Sequence, residues 1–316
     1  MTYVLVKHSN GELDAVTAEL ISAGRQLGEV SAVVVGTPGT AEGFAAQLGQ
    51  WGAEMVIAAE SESVTERLII PEVDALSMLA AGQPGPIVVA AGVAGSEIAG
   101  RLAARVASGV LNDVVAINPD GTASQSIFGD QYSVTAAVGG ESPIYAVRGG
   151  AITPDAAPAA GALATIDLPD SSPLDAQVRS FIPAERGDRP QLTQAPVVVA
   201  GGRGLSSADG FKTLAEPLAD LFDGAVGATR DAVDEGFYDG NYQIGQTGVT
   251  VSPDLYIGLG LSGAIQHKSG MQTAKRIVVI NSDEDAPIFE IADFGVVGDV
   301  DEVVPQLIEE ITNRRG

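Results

Sequence analysis

The stretch Leu255–Met271, LYIGLGLSGAIQHKSGM, decides how the second half of this chain folds. The apolar run DLYI reads as a strand and leads into Gly258, Gly260 and Gly263, spaced G-x-G-x-x-G, with a helix expected over AIQHKSGMQTA. Between a strand and a helix, such glycines let a pyrophosphate approach the backbone, and unpaired N–H groups at the helix start can hold it. The pattern also asks for an acid about 20 residues farther on, to hold a ribose hydroxyl. It is not cleanly matched: VVIN ends in Asn281, with Asp283 and Asp285 behind it, although an Asn can also bond a ribose. The same stretch carries His267, one of two histidines in 316 residues.

Upstream, PVVVAGGRGLSS (Pro196–Ser207) repeats the motif of a strand entering a glycine turn, here with Arg203 inside it. Exposed backbone N–H groups beside an Arg suit a phosphate, and equally suit a tight strand-to-helix turn. Arg203, Arg230, His267 and Lys268 lie close to these turns, with Lys275 and Arg276 farther along. Together they point to an anionic ligand, whereas Lys268, Lys275 and Arg276 each singly read as part of a solvated helix face and His267 also suits a core position.

The first half alternates short apolar strands with helix-period segments: TYVLVK, LDAVTAELISAGRQL, VSAVVVG, TAEGFAAQLGQWG, EMVIAAE, EVDALSMLAAG, PIVVAAG and AGSEIAGRLAARVASG. Strands apolar at nearly every position, separated by helices, predict a parallel sheet covered on both faces. From Val114 to Ile152 the pattern becomes β-rich, either extending that sheet or forming an antiparallel excursion. Pro- and Asp-rich linker signals fill residues 153–195, interrupted by the strand-like ALATIDL and AQVRSFIP. The expected division is a 1–189 α/β domain, with linker from about 153, and a 190–316 domain that restarts the βαβ rhythm from PVVVAGG to the terminal helix VDEVVPQLIEEITNR.

Composition narrows the function. The formal net charge of −24 repels nucleic acid and anionic membranes, leaving proteins and small molecules as partners. With no cysteine there is no disulfide, thiol chemistry or Cys-ligated metal. No two-histidine metal spacing, Walker loop or Ser-His-Asp order occurs. The start shows neither a secretory nor an organelle-targeting pattern, and no apolar run is long enough to span a bilayer, so a cytoplasmic protein is expected.

Taken in order, GGRGL, GATRDAVDEGF, QIGQTG, LYIGLGLSGAIQHKSGM, VVIN, DAPIFEIADFGVVGD and VVPQL resemble the FAD-binding domain of the electron transfer flavoprotein alpha-subunit family, from Pro196 to Leu307. VLNDVVAI and YAVRGGAI carry a looser likeness in the first half. The resemblance implies two α/β domains, the second Rossmann-like, with one FAD per heterodimer held in this subunit and AMP in a beta subunit. It implies an electron carrier without substrate turnover of its own, serving fatty acid β-oxidation. Electrons would come from flavin dehydrogenases such as acyl-CoA dehydrogenases and pass singly to a membrane quinone reductase.

By the same resemblance FAD contacts fall on Arg203, Thr229 and Arg230, on Ile244, Gly245, Gln246 and Thr247, on Ser262, Gly263, Ala264, Ile265, Gln266 and His267, and on Asn281 and Asp299. Thr229 stands where many members have Ser, keeping the hydroxyl. Arg230, Thr247 and His267 are the expected flavin-tuning residues: a donor from His267 and the charge of Arg230 would favour the singly reduced ring, and Thr247 would meet flavin N5. The alternatives are an NAD(P)-dependent oxidoreductase using the G-x-G-x-x-G loop, or a non-redox nucleotide-binding module.

Overall fold

The apolar runs of the first half become strands because a chain buried on both faces of a sheet has no use for alternation. They appear as β1 (Thr2–Leu5), a small hairpin β2 (His8–Ser9) and β3 (Glu12–Leu13), β4 (Val30–Gly36), β5 (Ala53–Glu60) and β6 (Ile87–Ala90). Between them run α1 (Val16–Gly24), α2 (Thr40–Trp51), α3 (Ile70–Gly82) and α4 (Val93–Val106). All seven residues of β4 are buried. The computed structural model describes residues 1–128, 132–181 and 189–315. The chain divides into two units, Met1–Pro183 and Ala184–Gly316.

The β-rich segment does both things its sequence allowed. It forms β7 (Val110–Ile117), β8 (Ala123–Ile127), β9 (Tyr132–Ala136) and β10 (Ile144–Val147), and β11 (Ala162–Ile166) follows. The sheet order is β11-β5-β4-β1-β6-β10-β7-β8-β9. β10 slots in parallel between β6 and β7, while β8 and β9 pair antiparallel at the edge. Alternate residues of the central strands feed two cores. Val4, Val34 and Val56 pack with Leu20 of α1 and Leu48 of α2; Tyr3, Val33 and Ile57 pack with Leu76 of α3 and Leu102 of α4.

AQVRSFIP forms no strand over its described residues. Gln177 makes only an isolated bridge to Arg67, because the segment lies along the irregular stretch Glu66–Leu68 and not along a sheet edge. The linker stretch PAERGDRPQLTQAP falls partly outside the described residues, as does the division between the units. Arg189 already belongs to the second unit, where its Nε donates to Asp220 at 2.7 Å.

The second unit is a five-stranded parallel sheet of β12 (Val197–Gly201), β13 (Ala225–Ala228), β14 (Leu255–Leu259), β15 (Ile277–Asn281) and β16 (Phe294–Val297). Its order is β13-β12-β14-β15-β16. One face packs Val199, Ile257 and Ile280 against helical cover: α5 (Ala208–Gly210), a π-helical stretch Phe211–Ala215, α6 (Glu216–Asp220) and α9 (Val300–Arg315). The other face, carrying Val198, Tyr256 and Val279, is closed by loop residues such as Ile244, Leu261, Met271 and Ile288. Two short helices complete the unit, α7 (Arg230–Asp234) and α8 (Ile265–Lys268). The helix expected over AIQHKSGMQTA is therefore a single turn. It stops where Gly270 meets Gly245, so closely that a Cβ on Gly270 would lie 2.4 Å from the Gly245 nitrogen. Among the described residues no helix is long and apolar enough to cross a membrane.

Candidate functional site

The strand order reverses between β12 and β14: the chain leaves β12 towards β13 on one side and β14 towards β15 on the other. In an open parallel sheet the loops at that point diverge and leave a crevice beyond the carboxyl ends of the strands. Here the crevice is a cleft of about 840 Å³, lined from the ends of β12, β13, β14 and β15 and from the loop around Gln243–Thr247.

Its floor is two glycine turns closed on each other. Gly202 N–H donates to Leu259 O and Gly204 N–H to Gly260 O, both at 2.9 Å. A Cβ on Gly202 would stand 2.4 Å from Gly260 O, and Gly260 itself has φ +57°. Only glycine permits backbones this close. In the following turn the N–H groups of Ser262, Gly263 and Ala264 donate to no protein acceptor among the described residues. Unpaired donors beside Arg203 and Arg230 are chemically suited to hold an anion.

The arginines are internally paired. Arg203 Nε lies 3.5 Å from Asp231 and Arg230 Nε 3.3 Å from Asp234, all four side chains mostly exposed. Thr229 caps α7, its Oγ1 accepting from Ala232 N–H at 3.3 Å, which leaves the hydroxyl proton free to donate. Thr247 Oγ1 accepts from Gln243 Nε2 at 2.9 Å and is likewise left as a donor.

His267 is buried at the edge of this cleft. Its Nδ1 lies 3.1 Å from the Ile244 carbonyl and its Nε2 2.6 Å from the Tyr256 hydroxyl. A carbonyl only accepts, so Nδ1 carries the proton and Nε2 accepts from Tyr256. Burial lowers the His267 pKa to about 4, against the opposing pull of the Ile244 carbonyl, so the ring is neutral at physiological pH. Burial likewise pushes the Tyr256 phenol far above its usual range, keeping it a donor. Both ring nitrogens of His267 thus have protein partners in this structure, the Ile244 carbonyl and the Tyr256 hydroxyl.

Every other expected position can be placed. Arg203, Thr229, Arg230, Ile244, Gly245, Gln246, Thr247, Ser262, Gly263, Ala264, Gln266, His267 and Asn281 line the cleft; Ile265 and Asp299 do not. Ile265 turns half-exposed to solvent. Asp299 instead caps α9, accepting from Asp301 N–H at 2.9 Å. Asn281 is buried and ties two turns together, donating to Leu261 O and accepting from Asp283 N–H. Sequence reasoning does not single out Gln243, Asp231 and Asp234 as lining residues, although they lie inside the quoted motifs QIGQTG and GATRDAVDEGF. Asp283, left open by the spacing argument, also lines the cleft.

Comparison with known proteins agrees with this architecture over the whole chain. Residues 2–172 match the electron transfer flavoprotein domain and residues 191–272 the electron transfer flavoprotein FAD-binding domain. The electron transfer flavoprotein subunit alpha of Mycobacterium leprae is 50% identical over 99% of this chain and 98% of its own length. That of Mycobacterium tuberculosis strain H37Rv is 52% identical over the same shares. A probable mitochondrial electron transfer flavoprotein subunit alpha of Cryptococcus neoformans is 34% identical over 98% of this chain and 91% of its own. The chain belongs to the electron transfer flavoprotein alpha-subunit family, whose members carry electrons and do not turn over a substrate of their own.

Proposed function

We propose that the second unit, residues 190–316 as the sequence divides it, holds one FAD in the cleft at the β12/β14 reversal. The observation that carries this reading is the convergence there of unpaired backbone donors at Ser262–Ala264 with Arg203 and Arg230 in a cleft of about 840 Å³. That volume lies within the range of small-molecule and cofactor sites. The bound flavin supplies the one-electron chemistry; the chain supplies placement and charge. Ser262–Ala264 and Arg203 take the pyrophosphate. Thr229 and Thr247 present hydroxyl protons, the latter held by Gln243. Arg230 brings positive charge to the ring, moderated by Asp234 at 3.3 Å.

The chain works as a heterodimer with an electron transfer flavoprotein beta subunit that carries AMP. It takes electrons from acyl-CoA and related flavin dehydrogenases and delivers them to a membrane quinone reductase, from the cytoplasmic side in fatty acid oxidation. The test is the absorption spectrum of the chain co-expressed with the beta subunit, followed by stepwise reduction. A stoichiometric flavin reduced in two resolved one-electron steps is expected, and Arg230→Ala should lower the first potential. A colourless heterodimer, or one that binds NADH instead, overturns the reading.

A further inference from the structure

We propose that Tyr256 is a positioning residue for His267: its hydroxyl fixes the imidazole as the Nδ1–H tautomer, through which His267 anchors the Gln243–Val249 loop beside the cleft. Tyr256 sits on β14, fully buried, and does not line the cleft. Its hydroxyl is 2.6 Å from Nε2 of His267, and the opposite nitrogen is 3.1 Å from the Ile244 carbonyl. Flipping the ring would place carbon against both the hydroxyl and the carbonyl, leaving two buried polar groups unpaired. That penalty selects one orientation and one tautomer.

The anchored loop matters because a second bond, Gln246 N–H to Gln266 O at 2.8 Å, seats it on the same α8 turn. Between these two attachments and Val249 lies Thr247, the hydroxyl expected at the flavin. The chain of contacts therefore runs from a core strand, through Tyr256 and His267, to the loop that forms one wall of the cleft. Its consequence for the flavin rests on the function proposed above; the contact itself does not.

The test uses the flavin-loaded heterodimer with ¹⁵N-labelled histidine at neutral pH, His267→Gln marking the ring's resonances by their loss. A pyrrole-type Nδ1, a pyridine-type Nε2 and a slowly exchanging Tyr256 hydroxyl proton are expected. In Tyr256→Phe the Nε2 resonance should move to the position of an unbonded pyridine-type nitrogen. A protonated Nε2 in the wild type, or an unmoved Nε2 in Tyr256→Phe, overturns the proposal. Should Tyr256→Phe fail to accumulate, the wild-type tautomer and hydroxyl proton decide it. A colourless preparation counts against the flavin reading alone, since the same spectrum still reports the ring.

Discussion

The N–H of Gly204 donates to the carbonyl of Gly260 at 2.9 Å, and a Cβ on Gly204 would stand 2.6 Å from the Gly260 Cα. Two turns, 56 residues apart in sequence by their numbering, thus form one surface. Gly204→Ala must push the turns apart and Gly260→Ala adds a left-handed residue at φ +57°. Each should cost about 1–3 kcal/mol and release flavin. Urea unfolding together with the flavin-to-protein ratio checks this; a variant with full flavin content would refute the packing argument.

Exposed helical glycines behave in the opposite way. At Gly43 in α2 and Gly100 in α4 an added Cβ would meet nothing within 4 Å. Replacing either with Ala should raise stability by about 0.5–1 kcal/mol, since only the backbone entropy of the unfolded chain changes. Thermal melting of the two single variants reads the sign directly.

His267 makes stability depend on acid. Its folded pKa of about 4 lies below the ordinary value of 6.5, so the native state binds fewer protons than the unfolded chain between those values. This contribution is complete above pH 6.5 and is lost as pH falls towards 4. Its size is about 3 kcal/mol. Denaturation at a series of pH values should show this slope in the wild type and its loss in His267→Gln.

Gln243 orients Thr247 by a 2.9 Å bond to its hydroxyl oxygen. Gln243→Ala should therefore move the flavin potential in the same direction as Thr247→Val, by less, because the hydroxyl remains but is no longer aimed. Potentiometry of both variants makes the comparison. A shift of opposite sign would show that Gln243 acts on the flavin some other way.

In the first unit Arg67 is buried between Asp74 at 2.6 Å and Asp175 at 2.7 Å and also donates to Pro169 O at 3.0 Å. It is what holds residues 169–175 against α3. Arg67→Gln leaves Asp175 without its charge partner and Asp74 with Arg105 alone. Limited proteolysis should then cut this segment first, while flavin content stays at the wild-type level.

The glycine turns were legible because each is a local demand: a strand, a close backbone approach, then free N–H groups, all written within a dozen residues. The parallel sheets were legible for the same reason, from unbroken apolar runs such as Val30–Gly36. Asp299 and Ile265 do not line the cleft: Ile265 turns to solvent between two lining residues, and an Asp before a helix start answers the helix first, as Asp299 does at α9. AQVRSFIP has the composition of a strand, but β pairing needs a partner edge and its neighbour is the irregular Glu66–Leu68.

What the sequence by itself determined is the class of fold, the position of the two glycine turns and the family. Each of these rests on patterns read along the chain. Only the tertiary structure decided that β10 enters between β6 and β7, that Asp231 and Asp234 partner the cleft arginines, and that Tyr256 and Ile244 claim both nitrogens of His267. These are pairings between groups distant in sequence or turned by the local backbone. The energy of a hydrogen bond or ion pair depends on distances of a few ångströms, and folding sets those distances.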